Sequence, residues 1–239
     1  MDSGSLVALS QQKALQRMMD VIAQNLANTG TIGYKSEKTC FENHIKSAGT
    51  NHNLSFVRER GILRDFTEGP GQHTGNALHL MIHGKGFFPI QTEQGTYYTR
   101  CGVFELDASS RIVTSSGDPL LDANGSPIVI PAGTKSIEVA CDGTISVDQH
   151  ILGRIQAFSF EDEQSLVPKG HNLLRAEEEP VINDQAEILQ GMLEQSNINP
   201  IYEVTKMIEV LRRYQEIQYA MDSHKERQDD ATDRLVKIV

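Results

Sequence analysis

Asn28-Thr29-Gly30-Thr31-Ile32-Gly33-Tyr34-Lys35 closes one helical pattern in this chain, and Asn197-Ile198-Asn199-Pro200 opens another. Upstream of the first stretch, Leu6, Leu9, Leu15, Met18, Met19, Ile22 and Leu26 recur at helical spacing. Leu15, Met18, Ile22 and Asn25 follow heptad-like steps of three and four, which predicts one amphipathic helix over residues 5–28. Asn28 suits its last turn, and Gly30 and Gly33 tolerate the positive φ needed to redirect the chain. Downstream of the second stretch, Asn199 reads as the cap, Pro200 as the first helical residue and Glu203 as first-turn acid. Ile201, Val204, Ile208, Leu211, Gln215 and Gln218 then form a heptad seam, widened by Tyr214, Ile217 and Met221. Past Tyr219 this second helix is almost wholly polar, so partners are needed to hold it.

Everything between the two helices has a different texture. Thirteen of the nineteen glycines fall between Gly61 and Gly153. Short β-branched and aromatic runs alternate there with turn signals: 87–92, 96–99, 103–106, 111–114, 128–130, 136–139, 144–147 and 154–158. Strands packed this closely, without helices between them, predict an all-β domain rather than βαβ units. The expected class is therefore α+β, with long terminal helices forming a coiled-coil-like stem around a central all-β domain. The expected divisions are residues 1–35 for the first helix and its turn, 36–60 for a weakly structured connector, 61–185 for the β-domain and 186–239 for the second helix.

Composition narrows the function. The chain has 239 residues and a formal charge of −10. Residues 161–194 carry nine acidic side chains against Lys169 and Arg175. An acidic chain without a basic stripe is a poor partner for a phosphate backbone, so nucleic acid is not an expected ligand. No window approaches the roughly 20 apolar residues of a membrane span. Met1-Asp2-Ser3-Gly4 lacks a basic n-region, so a cleaved secretory leader is not expected. Cys40, Cys101 and Cys141 have no C-x-x-C spacing and read as free thiols, with a Cys101–Cys141 pairing left open.

Candidate chemistry is sparse. Asn25 lies on an apolar seam, where it either sets register with a partner helix or meets water at a rim. His79 and His83 are four apart, but no third ligand has metal spacing, and surface or packed histidines are the better reading. Gly84-Lys85-Gly86 lacks the form of a phosphate loop and reads as a turn before Phe87-Phe88. Glu177-Glu178-Glu179 reads as a solvated acidic face. No nucleophile elbow is present. Catalytic, metal-binding and cofactor-binding residues are thus all expected to be absent.

Three motifs, in order, carry a resemblance. Ala23-Gln24-Asn25-Leu26-Ala27-Asn28, continuing through Thr31, Gly33, Tyr34 and Lys35, resembles the N-terminal signature of the bacterial flagellar basal-body rod and hook protein family. His83-Gly84, Gly86-Phe87-Phe88 and Tyr97-Tyr98-Thr99-Arg100, with Gly102 and Phe104, resemble that family's central β-region. Gly191, Leu193-Glu194, Ser196-Asn197 and Asn199-Pro200, followed by Met207-Ile208 and Arg213-Tyr214, resemble its C-terminal signature. Gly30, and Leu78-His79-Leu80-Met81, depart from the usual pattern. The start and length are most like proximal-rod members, with distal-rod and hook-type members as the alternative.

The resemblance implies a non-enzymatic structural subunit of the flagellar basal body, self-assembling into the axial shaft needed for motility. Its implied partners are other rod subunits, homotypic and heterotypic, and the flagellar type III export apparatus. Its implied place is the periplasmic rod, reached without a cleaved signal peptide. Implied assembly residues are Leu15, Met18, Ile22, Asn25 and Leu26 on the first helix, and Ile201, Val204, Ile208, Leu211 and Tyr214 on the second. Ala27, Asn28, Thr31, Gly33, Tyr34 and Lys35 carry the family signature. A non-flagellar binding module, or an enzyme with carboxylates across a cleft, is the more distant reading.

Overall fold

The computed structural model describes residues 3–47, 53–134 and 136–236, with their side chains at 5–42, 56–134 and 136–230. The terminal helices are α1 (Ser3–Ala27) and α2 (Pro200–Val236). Between them run β1 (Glu37–Ser47), β2 (Asn53–Arg64), β3 (Gly71–His73), β4 (Leu80–His83), β5 (Phe88–Thr92), β6 (Gly95–Thr99), β7 (Phe104–Leu106), β8 (Ile112–Thr114) and β9 (Ile137–Val139). They continue as β10 (Thr144–Val147), β11 (His150–Arg154), β12 (Phe158–Ser159), β13 (Val167–Gly170), β14 (Leu173–Arg175), β15 (Val181–Ile182), β16 (Glu187–Gln190) and β17 (Met192–Glu194). The chain divides into two compact units. One comprises α1, Glu37–Asp65 and the chain from Asn199 onward; the other comprises Asn28–Ser36 and Phe66–Ile198. The class is α+β, as the alternation of signals requires.

In the helical unit, Val21 and Ile22 of α1 and Val210 of α2 are buried. The Asn199 side chain accepts from the amides of Ile201 at 3.1 Å and Tyr202 at 3.2 Å, satisfying donors that the first turn leaves open. Where a loose connector is expected over 36–60, the described residues 37–47 and 53–60 instead belong to a long antiparallel ribbon. β1 and β2 pair from Glu37 opposite Arg64 to Ser47 opposite Asn53, with a register shift between Cys40 and Phe41. That shift breaks the period-two alternation by which a strand is recognised, because it moves later side chains to the other face. Arg64 reaches Glu37 at 2.5 Å, with both side chains largely sheltered, and ties the base of the ribbon. Arg17 to Glu59, 3.1 Å, and Lys38 to Asp65, 2.7 Å, are more exposed and contribute little.

The β-unit is a set of small antiparallel ladders around one main core. Its widest sheet has the order β13-β14-β6-β5. Leu80, Ile82, Phe88, Ile90, Phe104, Ile112, Leu120, Ile145 and Ile188 share the main core. Phe87, Tyr98, Phe160, Leu166 and Leu174 form a second, aromatic cluster. Edge-to-face geometry within it brings the Tyr98 and Phe160 rings to 4.9 Å between centroids. The expected runs near 87–114 and 136–147 all become strands. The run 128–130 makes only a bridge from Val129 to Arg111, and 154–158 straddles the space between β11 and β12.

The unit's expected limits of 61 and 185 are also corrected. β16 pairs with β4 and β17 with β3, so the ladders continue well past residue 185. Gly61 to Arg64 belong to β2 of the other unit. Gly102 marks the closest backbone approach, since a Cβ there would lie 1.5 Å from the Leu80 carbonyl oxygen.

Phe88 is sealed in the core and meets Phe104 edge-on, with centroids 5.4 Å apart. Phe88→Ala should lower the stability of the β-unit by about 3–5 kcal/mol. Urea unfolding followed by tyrosine fluorescence checks this through an earlier midpoint at unchanged slope.

Candidate functional site

The candidate surface lies on the helix faces. α2 carries two apolar stripes in different phases. The inward one runs Glu203, Met207, Val210, Tyr214, Ile217, Met221, every residue buried or half-buried. Its steps of four and three are those of a helix-packing seam. The seam read from sequence lies one residue out of phase with it. Ile201, Val204, Ile208 and Leu211 are all exposed, Ile208 at 47% and Leu211 at 44%, and only Tyr214 is half-buried. The residues taken as widening the seam therefore line the inward face. On α1, Ile22 and Asn25 are buried, whereas Leu15, Met18 and Leu26 are half-buried. Leu15, Met18, Phe41, Val57 and Ile217 line a groove of about 420 Å³ in the same unit.

Asn25 faces protein rather than water, with 1% of its surface exposed. Its amide donates to the Glu37 carbonyl at 2.8 Å, and its side-chain oxygen accepts from the Glu37 amide at 2.9 Å. The same amide nitrogen lies 3.4 Å from a carboxylate oxygen of Glu203. One side chain thus joins α1, the base of the ribbon and the first turn of α2. A buried polar residue fixes register in this way because any slip strands its hydrogen bonds.

The signature turn does different work. Ala27 is exposed, while Asn28, Thr31 and Tyr34 are half-buried and Gly33 and Lys35 buried. Thr31 closes the turn on Asn28 through its amide and its hydroxyl, each at 3.1 Å. Gly33 has φ +69°, and a Cβ there would lie 2.5 Å from the Arg100 carbonyl carbon. Its amide donates to the Glu194 carbonyl at 2.8 Å. Lys35 Nζ meets Glu194 Oε1 at 2.5 Å and the Thr67 carbonyl at 2.7 Å. Arg100 reaches the other oxygen of Glu194 at 3.3 Å, donates to the carbonyls of Ile82 and Gly84, and lies over the Phe87 ring. Burial pushes the Lys35 ammonium below its usual range, with Glu194 beside it working against that shift. Neither Glu194 nor Arg100 was singled out from sequence as more than part of a motif. A lone Glu between Leu193 and Gln195 gives no sign of two distant cations.

Nothing reactive accompanies these contacts. Among the described residues no cluster of three His, Cys, Asp or Glu is arranged to hold a metal ion. The three cysteines are free, and burial raises the Cys101 thiol pKa, away from thiolate chemistry. His83 does have a partner, Glu68, at 2.8 Å.

Comparison with known proteins gives the chain a family. Residues 81–147 match the family described as "Flagellar hook protein FlgE/F/G D1 domain", and residues 189–234 match "Flagellar basal body rod FlgEFG protein C-terminal". A flagellar basal-body rod protein FlgF from Caulobacter vibrioides is 37% identical, over 100% of both chains. The chain belongs to the FlgE/F/G family of flagellar rod and hook proteins. A FlgF from Mesorhizobium japonicum is 30% identical over 98% of each chain, and a FlgG from Buchnera aphidicola is 32% identical over 84% of this chain and 88% of its own. As a member of this family the chain is a structural subunit of the flagellar basal-body rod and not an enzyme. The two matched segments take in β4 to β10 and β16 to α2, while the signature turn at 28–35 lies outside both.

Two measurements test this geometry. Asn25→Leu removes the shared bonds to Glu37 and Glu203, and should destabilise the helical unit by about 1–3 kcal/mol. A lower midpoint of the helical circular-dichroism melt would show it. The His83–Glu68 pair predicts a titration. The hydrogen bond to Glu68, then its charge, raise the His83 pKa above 6.5. Partial burial pulls Glu68 upward, but the Gly84 amide and His83 outweigh it and leave Glu68 below 4.5. The His83 contribution is full below 6.5 and lost as pH rises through its folded pKa. The Glu68 contribution is present above 4.5 and lost as pH falls through its own. Proton NMR should place the His83 midpoint above 6.5, and Glu68→Gln should bring it back down.

Proposed function

We infer that this chain is a proximal-rod subunit that builds the axial shaft by packing the outer stripe of α2, with α1, against the terminal helices of neighbouring subunits. The single observation that carries this reading is the second apolar stripe, Ile201, Val204, Ile208 and Leu211, left uncovered by the inward seam. A sustained heptad on an exposed helix face calls for another helix, because isolated it offers apolar surface to water. Leu6 and Leu9 extend uncovered apolar surface along α1. The unit therefore offers an apolar ridge and, elsewhere, an apolar groove. Contacts between unlike surfaces generate open helical arrays rather than closed dimers, which suits a shaft. The coiled-coil-like stem of the sequence reading is, on this view, completed between subunits.

The same reading assigns Leu15, Met18, Ile22, Asn25 and Leu26 to the face that holds the stem together. It assigns Ile201, Val204, Ile208 and Leu211 to contacts with homotypic and heterotypic rod neighbours, and leaves Tyr214 to the inward seam. The full-length likeness to FlgF proteins supports the proximal position over the distal one. Delivery to the periplasm would follow the flagellar type III route. Free cysteines support that route, since no disulfide has to form before or after passage.

Exposed and buried positions separate assembly from folding. Ile208→Asp and Leu211→Asp alter exposed side chains, so the isolated subunit should keep its stability to within about 0.5 kcal/mol. Cells carrying either variant as their only copy should nonetheless lose swimming in soft agar. Ile22→Asp places a charge in a buried contact and should cost several kcal/mol, unfolding the helical unit itself. Normal swimming with the Ile208 and Leu211 variants would remove the outer stripe from the assembly surface.

A further inference from the structure

Within the β-unit, segments from both ends of the chain converge on one carboxylate. Glu194 is 1% exposed, and it receives Lys35 from 159 residues upstream and Arg100 from 94 residues upstream. It also accepts from the Gly69 amide at 2.9 Å, while its own carbonyl accepts from Gly33. Next to it, Asn197 accepts from the Ser36 amide at 2.8 Å and donates to the Thr67 carbonyl at 3.1 Å. Asn172 adds a bond to the Ile32 carbonyl at 3.0 Å. Residues 28–36 contribute no strand of their own to this unit, so these side-chain and backbone bonds hold them there.

We propose that the Lys35–Glu194–Arg100 cluster is a closing lock, which makes folding of the whole β-unit conditional on residues 28–36 and 187–198 being in place together. Electrostatics supplies the first reason. Two cations share one carboxylate out of contact with water, so Glu194 is indispensable to both. Without it, Lys35 and Arg100 are stranded charges. Without Lys35, a cavity opens beside a buried carboxylate left with one cation.

Strand pairing supplies the second reason. Among the described residues, β3 is laddered only with β17 and β4 only with β16. Two of the carbonyls that hold Arg100 belong to Ile82 in β4 and to Gly84 just beyond it. Leu80 and Ile82 of β4 and Ile188 of β16 lie in the main core. The lock is therefore continuous with the core, and loosening it removes support from β4 and everything packed on it. A chain presenting only one of its ends should stay open through the centre. Joined to the export route proposed above, on which this consequence alone rests, the lock would keep a partly delivered subunit unfolded until residues near 194 arrive.

Amide exchange on the intact chain tests the proposal. Under rising sub-denaturing urea, the amides of Gly33, Gly69 and Gln195 at the lock should exchange through the same large opening as those of Phe87 and Ile188 in the core. A separate opening of Gly33 and Gln195, at smaller urea dependence and with Phe87 and Ile188 still protected, would reduce the lock to a local clasp and overturn the idea. Lys35→Met should accelerate exchange at Phe87 and Ile188 about 100-fold or more, in step with Gly33. Acceleration confined to residues 28–36 and 192–198 would likewise overturn it. Should that variant fail to fold, the urea series on the unaltered chain decides alone.

Discussion

A carboxylate sealed from water has to be surrounded by donors, and in this protein Glu194 obtains them from segments far apart in the chain. Lys35, Arg100 and Gly69 reach its side chain, and Gly33 reaches its carbonyl. A buried ion cluster of this kind adds little net stability compared with an apolar filling, but it punishes incompleteness severely. That asymmetry explains why a turn motif with no regular structure is integrated into a β-unit. Gly33 permits the close approach to Arg100, and Lys35 supplies the charge. Within the subunit, the turn at 28–35 is thus part of the packing of the β-unit.

The helical unit rests on a different economy. Asn25, Glu37 and Glu203 are buried polar groups that satisfy one another, and they define where α1, the ribbon and α2 begin their contact. Apolar packing then needs only one side of α2, from Met207 through Val210 to Ile217. The other side keeps a heptad of large apolar residues in water. A monomer gains nothing from that arrangement, and on the proposed reading it serves packing between rod subunits. The polar stretch beyond Tyr219 has little to bury in any single chain.

Much of this was legible along the chain. Asn199 followed by Pro200 specifies a capped helix start whatever lies around it, because the cap bonds are local. The steps from Leu15 to Ile22 specify an amphipathic α1, and close turn signals with β-branched runs specify β5 to β10. The family signatures are also linear, and they sufficed to identify a rod subunit. The ribbon of β1 and β2 was not legible. Its alternation is interrupted at Cys40 and Phe41, and its base is tied by the pair Arg64–Glu37, 27 residues apart, which no local period announces.

Sequence by itself determined the local quantities: helix starts and stops, the periods of the central strands and an acidic balance of charge. Tertiary structure alone decided which of the two stripes on α2 turns inward. Both have apolar residues at heptad spacing, and the inward one is the stripe in phase with Glu203, which meets Asn25 across 178 residues. Tertiary structure alone also decided that Lys35, Arg100 and Glu194 form one site, and that β3 and β4 find their partners after residue 186. Such pairings are set by chain closure over long separations, and no window of sequence contains both members.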